Sequence, residues 1–215
     1  MTSEPHHVSL PRAVSLGAER LLGVTHQALD HGFVRLVDYM GNDSSVVQAA
    51  RVSYGAGTKT PSDDRGLIRY LMRHQHTTPF EMCEIKLHVK LPIFVARQWI
   101  RHRTASVNEM SARYSILDNE VYIPELDQIQ PQSQNNKQGR AGAFDEGITS
   151  NIQGRLANIS GYSYDRYEAL LGDGLARETA RMVLPTNIYT QWCWKVNLHN
   201  LFRFLKLRAN PHAQY

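Results

Sequence analysis

The segment RHRTASVNEMSARY brings Arg101, His102, Arg103, Glu109, Ser111 and Arg113 into one short run of the chain. Guanidinium forks of this kind bind phosphate or carboxylate through two parallel hydrogen bonds. Taken singly, an arginine is as often a solvated surface side chain as a ligand. Position argues otherwise here, because Arg97, Arg101 and Arg103 follow the apolar stretch LPIFVARQWI rather than filling a polar tract. Glu109 sharpens the reading, since a carboxylate in a groove for a nucleic-acid backbone would repel its phosphates. Residues of both signs suit a small ligand with an anionic end and hydrogen-bond donors.

Other residues with chemical potential carry less. A nucleophilic serine needs a general base within hydrogen-bond reach, and no G-x-S-x-G elbow surrounds Ser111, so it reads as a binding serine, with a turn or capping role equally compatible. His74 and His76 in HQHTTPFE do not complete a metal set of three or four ligands, so no metal is expected and a hydrogen-bonding loop histidine fits better. Arg181 and Arg208 flank helical patterns, where a cation also favours the helix dipole.

The chain has 215 residues, enough to bury a core as a single domain. Its 42% hydrophobic and 20% charged content is that of a globular protein rather than a disordered one. Lys and Arg exceed Asp and Glu by 24 − 20 = 4, a mild excess that a phosphorylated metabolite satisfies as well as a polymer does. Cys83 and Cys193 lie far apart, each inside an apolar pattern, and read as buried free thiols in a reducing compartment. No apolar run approaches the ~18 residues of a spanning helix, and the N-terminus lacks a basic segment followed by a hydrophobic one. A cytoplasmic protein without a membrane partner is expected.

Residues 1–30 read as an N-terminal extension with a short helix over 18–29, and residues 31–215 as one catalytic domain. GFVRLVDYMG suits a strand ending in a Gly-Asn-Asp turn, and DSSVVQAARVS a helix burying Val46, Val47 and Ala50. After the glycine-bearing loop YGAGTKTPSDD, the pattern of Leu67, Ile68, Leu71 and Met72 predicts a helix that ends before Pro79. CEIKLHVKL alternates apolar and polar residues and is the clearest strand, from a sheet covered on one side and antiparallel. Pro92 then opens a helix through PIFVARQWIRHR, which would set Arg97 and Arg101 on one face with Gln98 beside them.

EVYIP reads as a short strand and residues 128–143 as a mobile loop. A helix follows from Glu146 with Ile148, Ile152, Leu156, Ile159, Tyr167 and Leu170 as its apolar face, then a second helix through GLARETARMVL. YTQWCWKVN reads as a strand with one tryptophan in the core and the other interfacial, and the last helix breaks at Pro211. There is no internal repeat and no G-x-G-x-x-G. Strands and separate helices of this kind favour an α+β fold with an antiparallel or mixed sheet and flanking helices.

RHRTASVNEMS resembles the R-H-R, seven residues, S signature of the flavin-dependent thymidylate synthases. MGNDSSVVQAARVS, HTTPFE, LPIFVARQWIRHR, ARYS, RETARMVLPTNIYT and LKLRANPHAQ resemble that family's segments in the same order, from about Gly32 to Tyr215. The resemblance implies the family-specific fold, a homotetramer with active sites shared between subunits, and FAD as cofactor. It implies methylation of dUMP to dTMP, with 5,10-methylenetetrahydrofolate as carbon donor and NADPH as reductant. It also implies that the family's C-terminal stretch beyond HAQ is lacking here.

By the same resemblance FAD is held at His76, Thr78, Arg101, His102, Arg103, Glu109, Asn197, His199 and Arg203. The dUMP residues are Gln98, Arg101, Glu109, Met110, Ser111, Ala112, Arg113, Arg181 and Arg208, with backbone groups serving at Met110 and Ala112. Neither cysteine lies in a basic, polar setting that would lower a thiol pKa, so no cysteine nucleophile is expected. In this family activation is ascribed to polarisation or ionisation at uracil N3, and Arg208 is the matching catalytic cation. Two rival readings are a basic nucleic-acid-binding module without catalysis, marked by salt-dependent binding, and a truncated flavoprotein with impaired turnover.

Overall fold

The computed structural model describes residues 12–52, 64–137, 139–210 and 213. Its centre is a sheet of β1 (Thr25–Ala28), β2 (Gly32–Met40), β3 (Glu84–Pro92), β4 (Ser106–Glu109) and β5 (Tyr189–Asn197), in the order β1-β2-β3-β5-β4. Every neighbouring pair of strands is antiparallel. The helices are α1 (Leu16–Leu21), α2 (Asp43–Val52), α3 (Asp64–Arg73), α4 (Thr78–Glu81), α5 (Ile93–Trp99), α6 (Glu146–Gly172), α7 (Arg177–Ala180) and α8 (Leu198–Arg208). This is the α+β architecture that the alternating strands and separate helical periods require.

Three apolar clusters explain how the elements hold together. Val89, Leu91, Ala96, Trp192, Trp194 and Val196 form the first, on one face of the sheet beneath α5 and α8. Trp99 meets Trp192 and Trp194 edge to face, with ring centroids 5.7 and 5.2 Å away, and Phe204 tilts against Trp99 and Trp194 at 4.7 and 5.3 Å. Edge-to-face geometry opposes the negative face of one ring to the positive edge of the next. The indole N–H groups of all three tryptophans find no acceptor among the described residues. On the other face Arg35, His88 and Gln191 form a polar row, with Arg35 Nη2 2.6 Å from His88 Nδ1 and His88 Nε2 2.9 Å from Gln191 Oε1.

A second cluster joins Ala112, Leu117, Tyr164, Tyr167, Ala180 and Ile188, so that α6 and α7 pack on the chain that leaves β4. The third joins α2, α3 and α4 through Val46, Ala50, Leu71, Phe80 and Cys83. Gly41, at φ 87°, turns the chain tightly over Cys83, whose sulfur lies where a side chain at 41 would begin. Any side chain there would collide as well as strain the backbone.

Several sequence expectations change. Residues 18–29 are not one helix: α1 stops at Leu21, Gly23 adopts a left-handed φ of 77°, and Thr25–Ala28 pairs with β2 as β1. Trp192 and Trp194 are both buried, because they alternate with Cys193 and therefore share the covered face. Cys193 is exposed for the same reason, and of the two thiols only Cys83 is buried. Met72 is exposed although it fell on the apolar face of α3.

The α6 pattern also misleads. Thr149, Ser160, Tyr164 and Tyr167 are its buried residues, while Ile148, Leu156 and Ile159 face outward. A face built of hydroxyl-bearing side chains does not register in an aliphatic count. The helix through GLARETARMVL shortens to α7 and one 3-10 turn, Arg181–Val183. EVYIP supplies a single antiparallel bridge, Val121 to Ile188, and the 128–143 loop one more, Gln132 to Arg140. The loop YGAGTKTPSDD before Asp64 and the break at Pro211 lie outside the described residues.

Candidate active site

The R-H-R run sits in the turn between α5 and β4. Pro92 ends β3 in extended geometry and leads directly into α5, a position where its missing N–H costs nothing. The helix is shorter than its sequence pattern, for Trp99 is its last residue and Ile100 its cap. Arg101 N–H reaches Gln98 O at 3.3 Å and His102 N–H reaches Trp99 O at 3.0 Å, so the chain leaves in tight turns. Arg97 and Arg101 therefore do not share a continuous helical face. Arg101 and Arg103 are exposed to solvent, while His102 is half-buried with its ring edge-on to Phe204 at 4.9 Å.

Helix α8 delivers the second half of this cluster. Asn197 caps it by accepting from Asn200 N–H at 2.9 Å, a cap worth about 1 kcal/mol. Phe80 of α4 meets Phe202 at 6.1 Å and packs with Leu198, which holds α4, the helix that Thr78 begins, against α8. Further along, Phe204 locks α8 onto Trp99 and Trp194. One turn later Arg208 Nε donates to His102 Nε2 at 3.0 Å. Burial first, then the Arg208 and Arg203 cations, hold the His102 pKa below its ordinary value. As the acceptor of the Arg208 N–H, His102 is bare at Nε2.

His76 follows Gln75, which adopts a left-handed φ of 56°, and its ring lies 5.9 Å from Tyr70 and 6.4 Å from His74. These three exposed rings end α3 beside the start of α4. His199 and Arg203 stand one turn apart on α8, His199 half-buried and Arg203 exposed.

The remaining expected residues gather around the exit of β4. Glu109 is exposed at the end of β4; it lies opposite Trp192 in register, and its Oε1 accepts from Thr190 Oγ1 at 2.8 Å. Met110 N–H continues the ladder to Gln191 O at 2.8 Å. Ser111 Oγ accepts from both the backbone N–H of Arg113, at 3.3 Å, and its Nε, at 3.2 Å. Ala112 is buried, which fixes this turn in the second core cluster.

Arg177 donates to Tyr114 O at 2.8 Å and ties the same turn to α7, and Arg181 Nε donates back to Glu178 O at 3.3 Å. Among the described residues, no hydrogen bond or ion pair joins Glu109, Ser111, Arg113 or Arg181 to the Arg208–His102 pair. The side chains of Gln98, Arg101 and Arg103 make no hydrogen bond or ion pair among the described residues. Sequence reasoning missed Thr190 and Arg177. The spacing of Arg177 and Arg181 in RETAR offered a signal for the latter, whereas Thr190 meets Glu109 only through strand register.

The donor set suits a ligand bearing a diphosphate: two exposed, unpaired guanidinium groups flank a neutral imidazole, beside a helix rich in further nitrogen donors. Cys83 does not suit nucleophilic work, because burial first and Asp43 second raise its thiol pKa.

Residues 35–215 match the family profile described as Thymidylate synthase complementing protein. A relative named Flavin-dependent thymidylate synthase from Gluconobacter oxydans (strain 621H) is 61% identical over 99% of this chain and 71% of its own length. One of the same name from Wolbachia pipientis wMel is 62% identical over 95% of this chain and 72% of its own. Among solved structures, a UMP/dUMP methylase, PolB from Streptomyces cacaoi bound with 5-Br UMP, superposes with TM-score 0.76 at 35% identity, covering 87% of this chain and 81% of that one. The fold, the ordered motifs and these relatives agree, and the chain belongs to the thymidylate synthase complementing protein family.

Proposed function

We propose that this chain is a flavin-dependent thymidylate synthase that converts dUMP to dTMP, with FAD as cofactor, 5,10-methylenetetrahydrofolate as carbon donor and NADPH as reductant. The observation that carries the reading is the convergence of α8 on the R-H-R turn, which brings Arg208 to His102 at 3.0 Å. The shared name of the close relatives and the nucleotide-methylase description of the structural neighbour support the substrate and reaction class.

Arg101, His102 and Arg103 hold the flavin with His76, Thr78, Glu109, Asn197, His199 and Arg203. The bound flavin supplies hydride transfer and carriage of the one-carbon unit, chemistry no side chain here provides. Gln98, Arg101, Glu109, Ser111, Arg113 and Arg181 bind dUMP, with backbone groups of Met110 and Ala112. Arg208 stabilises negative charge developing on the uracil ring as C5 becomes nucleophilic, a role for a cation that does not titrate. No cysteine attack is required, in keeping with the raised pKa of Cys83.

The reading extends to a homotetramer whose sites are completed between subunits. Support comes from α6, where Ile148, Leu156, Ile159 and Tyr162 remain exposed on a helix of 27 residues. It comes also from the two sets of site residues that no hydrogen bond or ion pair joins among the described residues.

The test is formation of dTMP from dUMP by the flavin-loaded protein with both co-substrates, followed by chromatography. Arg208→Ala should lower turnover about 100-fold while flavin retention, read from its visible absorbance, stays within about twofold. Unchanged dUMP in the parent reaction would contradict the proposed activity. Equal turnover in Arg208→Ala would remove Arg208 from the catalytic role.

A further inference from the structure

We infer that the His102 Nε2 lone pair orients the Arg208 guanidinium toward dUMP, which makes His102 a positioning residue for the nucleotide as well as a flavin contact. This role rests on the reading of Arg208 as a dUMP ligand.

Three observations carry it. Arg208 lies in the last turn of its helix, where a long side chain is otherwise free to sample many rotamers. Its Nε–H is committed to His102 Nε2 at 3.0 Å, which leaves the end-on pair of N–H groups, one on each terminal nitrogen, pointing away from that bond and without an acceptor among the described residues. His102 is itself fixed, by the turn hydrogen bond from its N–H to Trp99 O and by edge contact with Phe204 at 4.9 Å. A rigid acceptor thus aligns a mobile donor.

The bond also dictates a tautomer. Accepting at Nε2 places the imidazole proton on Nδ1, which makes no hydrogen bond among the described residues and is the donor left for the cofactor. A cofactor acceptor at Nδ1–H would favour the tautomer that holds Arg208, so flavin loading should tighten dUMP binding.

The charged groups facing His102 are Arg208 and Arg203, both from α8, and Phe204 supplies the apolar wall. Both cations oppose protonation, as does burial, so the neutral ring persists to lower pH than for an ordinary histidine. As pH falls through the depressed pKa, His102 gains a proton at Nε2, loses the lone pair and repels Arg208. The dUMP affinity held above that pKa is lost below it.

The experiment measures the dUMP dissociation constant of the FAD-loaded protein by calorimetry from about pH 5 to about pH 8, for the parent, His102→Ala and His102→Gln. Flavin occupancy is read from absorbance at every point. His102→Ala should weaken dUMP about tenfold at neutral pH, the effect of losing a hydrogen bond to a charged group. In His102→Gln a neutral side-chain oxygen takes the place of Nε2, so most of the affinity should return. The fall at low pH should then shrink to what dUMP phosphate titration alone produces, at about pH 6.

Equal affinities and equal pH profiles in all three, with flavin retained, would overturn the inference and leave the proposed function standing. A parent that binds neither flavin nor dUMP would instead contradict the function itself. A merely structural His102 would lower thermal stability in both variants without the pH-dependent difference between them, and that outcome would also overturn the positioning role.

Discussion

Helices α8 and α6 are held by the rest of the chain in different ways. Phe204 and Leu201 of α8 close over Trp99, Trp192 and Trp194, while Phe202, Leu205 and Leu207 of the same helix remain exposed. Tyr164 and Tyr167 anchor α6 from one side only, and Ile159 and Tyr162 remain 62% and 63% exposed. The two helices separate where function is prepared from where it waits. Arg208 of α8 is held by its bond to His102 within one chain, whereas the outward side of α6 is the surface that the proposed tetramer would cover.

The largest blow to this contrast is Trp194→Ala. Its side chain is fully buried at the centre of the aromatic cluster, and its loss should cost about 3–5 kcal/mol in chemical denaturation. A loss under about 1 kcal/mol would mean that α8 is not held by the cluster as described. Ile159→Glu addresses the other helix. It should leave the stability of the protomer within about 0.5 kcal/mol, yet break the proposed tetramer, as read by sedimentation. An unchanged sedimentation coefficient would show that this side of α6 lies outside any interface.

The smallest effect concerns the far end of β5. Burial, then the hydrogen bond to Asp30, hold the Tyr189 phenol above its ordinary pKa. The folded state therefore keeps a proton that the unfolded chain releases above about pH 10. The corresponding stability is complete below that pH and is lost as pH rises further. Urea midpoints at about pH 8 and about pH 11 should differ less in Tyr189→Phe than in the parent. An identical drop would place the alkaline sensitivity elsewhere.

Legibility in the sequence followed the same divide. The strands were readable because Cys83 to Leu91 and Tyr189 to Asn197 alternate, and antiparallel pairing on a one-sided sheet follows from that alternation. Gly23 was harder to weigh, since nothing in one sequence distinguishes a tolerated helical glycine from one that takes a positive φ and ends the helix. The α6 face escaped because serine and tyrosine pack it.

At the site, the residue types of the R-H-R run pointed to a small anionic ligand, and the family resemblance supplied its proposed identity. The Arg208–His102 contact was not legible, because it spans 106 residues and arises only once Phe204 seats α8. The Glu109–Thr190 bond likewise depends on the register of β4 against β5.

The decisive measurement is the visible spectrum of the protein loaded with FAD, freed of excess and titrated with dUMP. A retained flavin band that shifts in a saturable way with dUMP is expected, since the residues proposed for the two ligands overlap at Arg101 and adjoin at His102 and Arg208. A protein that retains no flavin, or a flavin band indifferent to saturating dUMP, would contradict that meeting of the two ligands in one site.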